Sequence, residues 1–168
     1  MKVLGIDPGY GRCGVAVLER TDGTDTLLYS ECIETSSELP FEERLAIVAA
    51  ACSQLIQTHA PEHIALEKLF FGKNRTTGMR VAEVRGAILA LAGAAGIAVA
   101  EYAPNEVKSA TTGYGSADKK QVAKMIHALV KIGKVIRHDD EYDAIAIGIT
   151  HLACARARAL VSPRGERR

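Results

Sequence analysis

The stretch VLGIDPGYGRCGVAVLERTDGTDTLLYSECI, Val3 to Ile33, decides the fold. Its opening run Val3-Leu4-Gly5-Ile6 is apolar and stops at Asp7, where Pro8-Gly9 forces a turn, so it predicts a buried strand. Cys13 to Leu18 is a second apolar run and Thr24 to Ile33 a third, with Thr21-Asp22-Gly23 between them as a hairpin turn. Three strands joined by short polar turns predict an antiparallel meander.

Downstream the pattern changes to alternating helix and strand. Pro40 opens a helix with Glu42 and Glu43 in its first turn, where the helix dipole favours acids, and Leu45, Val48, Cys52, Leu55 and Ile56 give it one apolar face. Ile64-Ala65-Leu66-Glu67 is a short strand that again ends in an acid. Residues 74–95 read as a helix with Met79, Val81, Val84, Ile88 and Leu91 inward and Gly96 as its stop; Ile97 to Tyr102 is another strand. Ser116 is the expected N-cap of a helix carrying Val122, Met125, Ile126, Leu129 and Val130 on one face, ended by Gly133. The last helix starts near Asp139 or Asp140 and runs past Leu152. The order β-β-β-α-β-α-β-α-α predicts an α/β fold. Its mixed five-stranded sheet, three antiparallel strands and then parallel ones, carries helices on both faces. The expectation is a single domain over residues 1–160 and a basic, frayed tail over 161–168.

Composition narrows the class. A chain of 168 residues, 48% hydrophobic and 24% charged, is neither a disordered, a collagenous nor a disulfide-scaffold protein. Its length suits one domain that buries roughly 70% of its unfolded surface. Cys13, Cys32, Cys52 and Cys154 lie far apart with no C-x-x-C pair, as expected of reduced thiols packed as small hydrophobes. The longest apolar stretch, Ile88 to Ala100, is shorter than the roughly 20 residues that span a bilayer. No secretory leader pattern opens the chain, so a soluble cytoplasmic protein without a membrane partner is expected. The net charge of +1 hides an uneven distribution: −7 over residues 1–67, +8 over 68–137 and 0 over 138–168. A basic middle suits a polyanion, although charge counts alone describe solvated helix faces as well.

The acids at the element ends are more specific. An acid adjoining an apolar strand is costly unless its charge is compensated. Singly, Asp7 reads as a turn residue and Asp140 as a helix cap. Glu67 has no such reading, because Glu is a poor strand residue and offers no turn chemistry. If the strands of Asp7 and Glu67 are neighbours, both acids reach one end of the sheet, while Asp140 and Asp143, three apart, share a helix face. Four carboxylates so placed repel one another unless a hard cation sits among them, and carboxylates suit Mg²⁺ or Mn²⁺. Two such ions about 3.5–4 Å apart clamp the attacking and leaving oxygens of a phosphodiester. The expected chemistry is metal-assisted hydrolysis of a nucleic acid backbone.

Four segments occur in order: Leu4-Gly5-Ile6-Asp7-Pro8-Gly9; Leu66-Glu67-Lys68-Leu69-Phe70 with Lys73-Asn74; Gly115-Ser116-Ala117-Asp118-Lys119; and Asp140-Glu141-Tyr142-Asp143-Ala144-Ile145-Ala146-Ile147. With these the chain resembles the bacterial RuvC-type Holliday junction resolvases over nearly its whole length. The resemblance implies an RNase H-like fold and a homodimeric endonuclease that nicks two strands of like polarity at a four-way DNA junction. The ends it leaves are a ligatable 5′-phosphate and a 3′-hydroxyl. It implies two Mg²⁺ or Mn²⁺ ions per active site, held by Asp7, Glu67, Asp140 and Asp143, and a branch-migration complex of RuvA and RuvB type proteins as partner. The ligand at Asp140 is the least fixed, since some members carry His there; Asp139 and His138 are its neighbours. Tyr10-Gly11 departs from the Ser or Thr followed by Arg that is common after the first Pro-Gly.

For DNA contact, the resemblance implies that Phe70 stacks against bases near the crossover and that Lys108 and Lys119 act near the scissile phosphate or bind DNA. Lys73, Arg75 and Arg80, with Arg85 further along, open the basic helix and complete the expected surface. Phe71 is expected in the core, and Lys120, Lys124, Lys131 and Lys134 on a solvated face. His59 and His63 are separated by Pro61, which argues against a helical metal site. Three other readings compete: a phosphotransferase holding ATP at Gly5–Gly9, a small RNase H-like nuclease acting on RNA, and a junction-binding module without catalysis. The first needs two such domains, and the chain is too short for them.

Overall fold

Strand periodicity sorts the first residues onto two faces. Leu4 and Ile6 point to one side of the sheet and Val3 to the other, all three fully buried, which places Asp7 on the Val3 side. The computed structural model describes residues 1–69 and 75–161. Strands β1 (Lys2–Asp7), β2 (Arg12–Thr21) and β3 (Thr24–Glu34) form the predicted antiparallel meander. Between β2 and β3, Asp22 (φ 51°) and Gly23 (φ 81°) both take the left-handed conformation, the pattern whose twist suits a two-residue hairpin. Helix α1 (Phe41–His59) then carries the chain across, and β4 (His63–Glu67) joins β1 in parallel. Helix α2 (Arg75–Ala94) leads to β5 (Ala98–Tyr102), which pairs in parallel with β4. The sheet order is β3-β2-β1-β4-β5, the mixed arrangement expected.

Two apolar layers hold the sheet. On one face Val48, Cys52 and Leu55 of α1 and Val84, Ile88 and Ala92 of α2 cover Leu4, Ile6, Val15, Val17, Ile64 and Leu66. On the other, α5 (Asp139–Val161) lays Ala144, Ile145 and Leu152 against Val3, Ala16, Leu18 and Ala65. Helices therefore lie on both faces, as predicted. The four cysteines carry free thiols; Cys13 and Cys52 are buried within the first layer, and Cys32 and Cys154 are half-buried.

The structure corrects the sequence reading at several places. A helix absent from the predicted order, α3 (Pro104–Thr112), precedes α4 (Lys119–Leu129). Pro104 begins it, Glu106 accepts a hydrogen bond from the Ala103 backbone N–H, and Gly113 (φ 78°) ends it. Its two threonines, weak helix formers, return their hydroxyls to the carbonyls of Val107 and Lys108. The N-cap of α4 is Asp118 rather than Ser116, because Asp118 and Gln121 form a reciprocal capping box at 2.9 Å. That helix ends before Gly133, with Val130 already extended, and Leu129 is 43% exposed. Met79, assigned to the buried face of α2, is 60% exposed. His151, for which no local pattern predicts burial, is buried beside Tyr102, whose hydroxyl lies 2.9 Å from its Nδ1. Of the expected tail, residues 162–168 lie outside the described residues.

Candidate active site

The pairing of β1 with β4 sets Ile6 opposite Leu66, so the next residue on each strand, Asp7 and Glu67, emerges at the same sheet end. Both lie on the face covered by α5. The N-terminal turn of α5 is pressed onto that end by two glycines. A Cβ on Gly14 would overlap the Asp140 carbonyl, and one on Gly5 the Ala144 carbonyl, so only hydrogen permits the approach. Deeper in the contact, Glu141 is 5% exposed; Ser30 donates to it at 2.6 Å and the Lys134 ammonium lies 2.7 Å away. Asp140 and Asp143 are thereby carried to the acids of the strands.

Electrostatics report the convergence. Burial pushes the Asp7 carboxyl up to about 7, and the carboxylates of Asp143, Glu67 and Asp140 push the same way against Lys119. Glu67 is raised by burial and by Asp143, with Lys108 and Lys119 opposing. Asp143 is raised chiefly by burial, again opposed by Lys119 and Lys108. A cavity of about 170 Å³ lies among Glu67, Lys108, Lys119 and Asp143; a neighbouring one of about 240 Å³ is lined by Asp7, Glu67 and Lys68.

Two of the four acids are drawn to cations of the chain itself. Arg12 Nε lies 3.1 Å from Asp140 Oδ2, and Lys119 Nζ lies 3.1 Å from Asp139 and 3.9 Å from Asp143. Among the described residues no group of three His, Cys, Asp or Glu side chains is arranged to hold a metal ion as it stands. The donor set nonetheless has the chemistry of a hard divalent cation: oxygen ligands only, partly desolvated, mutually repelling and partly neutralised by intramolecular substitutes. Asp7, Glu67, Asp140 and Asp143 are the residues that could hold it. His138, a neighbour of Asp140, is turned instead to Glu34 at 3.1 Å.

The basic residues are distributed unevenly around this pocket. Lys108 and Lys119 line it directly. Arg80 is engaged within the chain, its guanidinium 3.9 Å above the Phe41 ring and 3.3 Å from Glu83. Arg75 begins α2, and Phe70, Phe71 and Lys73 lie outside the described residues. Two features escaped the sequence reading. Arg85 donates to the Glu67 carbonyl at 2.8 Å and pairs with Glu101, tying α2 to the end of β4. The sequence reading assigns Arg85 to the DNA-facing surface, whereas the structure holds its side chain only 12% exposed. Tyr10 packs edge-on against Phe41 at 5.7 Å with Arg44 4.7 Å from its ring centroid, which anchors the departing Tyr10-Gly11 segment on α1 and leaves Arg12 facing Asp140. Nothing in the local sequence distinguishes that pairing.

Comparison with known proteins gives a consistent picture. Residues 3–151 match the family described as crossover junction endodeoxyribonuclease RuvC. Curated relatives of that description include one from Thermotoga petrophila, 40% identical over 94% of this chain and 96% of its own. Another, from Roseiflexus sp., is 41% identical over 92% of each chain. Among solved structures, T. thermophilus RuvC in complex with Holliday junction substrate superposes with a TM-score of 0.88 at 33% identity, covering 94% of this chain and 96% of that one. The yeast mitochondrial Holliday junction resolvase Ydc2, 14% identical with a TM-score of 0.69, shares the fold.

Proposed function

This chain belongs to the RuvC family of crossover junction endodeoxyribonucleases, and from that premise we propose that Asp7, Glu67, Asp140 and Asp143 carry its cleavage of four-way DNA junctions. The enzyme is a junction-resolving nuclease of RNase H-like fold. The single observation that carries the site assignment is the meeting of four acids from three separate elements at one sheet end. A module that only bound junctions would have no need of that arrangement, whose mutual repulsion costs stability.

The cofactor of this reading is Mg²⁺ or Mn²⁺, two ions per site, held by the four acids. Bound there, they supply a nucleophilic water and stabilise charge on the scissile phosphate. The chain's own groups do the rest. Asp7, mostly buried, fixes the floor of the site, and Glu67 and Asp143 flank the cavity. Lys108 and Lys119, on the same cavity wall, orient the phosphate, while Lys73, Arg75 and Arg80 extend the contact along the backbone and Phe70 stacks on an unpaired base. A homodimer presents two such sites to the two equivalent strands of a junction, and a branch-migration complex of RuvA and RuvB type delivers the substrate. No helix among the described residues is long and apolar enough to cross a membrane, which suits the cytoplasmic location proposed. The fold domain spans residues 1–160.

The test compares wild type with Asp7→Asn on a synthetic four-way junction and on linear duplex, with Mg²⁺ or Mn²⁺ and with chelator. Expected are metal-dependent paired nicks by wild type, junction binding by the variant within about twofold of wild type, and a loss of nicking of at least about a thousandfold. Nicking by Asp7→Asn at a comparable rate removes the residue from the mechanism. Preferential cleavage of a four-way RNA junction would favour the competing RNA nuclease.

A further inference from the structure

We propose that Arg12 is a cation shared between the active site and the DNA: Asp140 holds it in the metal-free protein, and a divalent cation among the carboxylates releases it to a junction phosphate. The inference rests on the metal-site reading given above and adds to it a coupling between metal and junction binding, with Arg12 as the positioning residue.

Its place follows from the sheet. Arg12 is the first residue of β2, two before Gly14, which pairs with Asp7 and packs on the Asp140 backbone. The backbone at Arg12 is therefore fixed at the rim of the acidic pocket. Its side chain is 55% exposed while that of Asp140 is 22% exposed, so the pair straddles the boundary between pocket and solvent. The contact uses Nε, one of the five N–H donors of a guanidinium, which suits a group able to exchange one oxyanion for another. On its other flank, Thr35 donates to the Tyr10 carbonyl and accepts from Arg44, holding the preceding turn against α1.

The competition is set by charge. Asp140 neutralised by Arg12 is a poorer ligand than a bare carboxylate, and a hard divalent ion outbids one half-exposed guanidinium for its oxygens. An ion pair of this exposure is worth little, so release is easy: about two- to fivefold in an equilibrium constant. Once released, Arg12 stands at the rim of the acidic pocket, free to meet a phosphate of a strand laid over the acids. One added phosphate contact steepens the salt dependence of duplex binding by about one unit.

The experiment uses Ca²⁺ as the metal probe, with wild type, Arg12→Gln and Arg12→Lys. Calorimetric titration without DNA is expected to show Arg12→Gln binding Ca²⁺ about two- to fivefold more tightly than wild type, with Arg12→Lys close to wild type. Fluorescence anisotropy then follows a labelled junction over a salt series, its strands verified intact on a denaturing gel. Without metal, Arg12→Gln and wild type should bind alike, with equal salt slopes. With saturating Ca²⁺, the wild-type slope should exceed that of Arg12→Gln by about one, and Arg12→Lys should restore it. Equal Ca²⁺ affinities, or slopes that differ equally with and without Ca²⁺, would overturn the coupling while leaving the metal site intact. Absence of Ca²⁺ binding by wild type would instead overturn the metal-site reading, and this inference with it.

Discussion

Asp7 illustrates what a residue proposed to hold a metal costs the fold that carries it. Its carboxyl is raised to about 7 in the folded protein, by burial first and then by three like charges. An unfolded Asp titrates near 4. Between those values the native state binds the proton more tightly than the unfolded chain does. The favourable contribution is thus complete below about pH 4 and is lost as pH rises to about 7. Metal-free Asp7→Asn should accordingly be more stable than wild type at pH 8, by up to about 4 kcal/mol, and the two should converge near pH 4. Urea denaturation of both proteins across that range, in chelator, checks this; a constant difference at every pH would refute the assignment of the strain to Asp7. The raised Glu67 and Asp143 act in the same direction in both proteins and leave the comparison intact. That Asp7 and Glu67 are out of place in apolar strands was legible from the sequence. The pairing of Arg12 with Asp140 was not, since it depends on where a long side chain ends and several carboxylates compete for it.

At the scale of elements, the site depends on how closely α5 approaches the meander. Gly14 permits contact with the Asp140 backbone, and the obstacle that any Cβ would meet is main chain, which cannot rotate away. Gly14→Ala should therefore push the start of α5 off β2, destabilise the protein by about 3 kcal/mol, and lower nicking more than junction binding. Chemical denaturation with paired binding and cleavage assays on the folded fraction measures all three. A variant as stable and active as wild type would show that the approach has slack. Elements with strong periodicity, β1, β2, β3, α1 and α4, were readable in advance, and so was the hairpin turn at Asp22-Gly23. Helix α3 was not, because Pro104-Asn105-Glu106 and Thr111-Thr112-Gly113 look like turn chemistry and only two of its residues, Val107 and Thr111, are buried. Its stability comes from packing on α5 and α4 more than from its own propensity.

At the scale of the whole molecule, an acidic N-terminal segment and a basic middle cancel almost completely in the net charge of +1. Folding brings the acids to the end of the sheet and the lysines Lys108 and Lys119 to its rim. A negative pocket edged by positive charge binds a polyanion more tightly once the pocket is neutralised. If the enzyme is the homodimer proposed, dimers that pair a wild-type protomer with an Asp7→Asn protomer should nick one strand of each bound junction and leave the second uncut. Tagged co-expression, purification of the mixed species and a plasmid cruciform assay distinguish nicked circles from linear product. Linear product at the wild-type ratio would show that one active protomer makes both cuts, against the paired-site dimer.

By itself the sequence determined the strand meander, the alternation of helix and strand that follows it, and the acids that break the apolar pattern, because each is a local conflict or periodicity that a few neighbouring residues express. Only the tertiary structure decided that β4 lies beside β1, that α5 closes onto Gly5 and Gly14, and that Arg12, Lys119 and Lys108 meet those acids. Those juxtapositions join residues up to about 140 positions apart, and they arise from the burial of two apolar layers, in which charged groups take whatever positions the packing leaves at its edge.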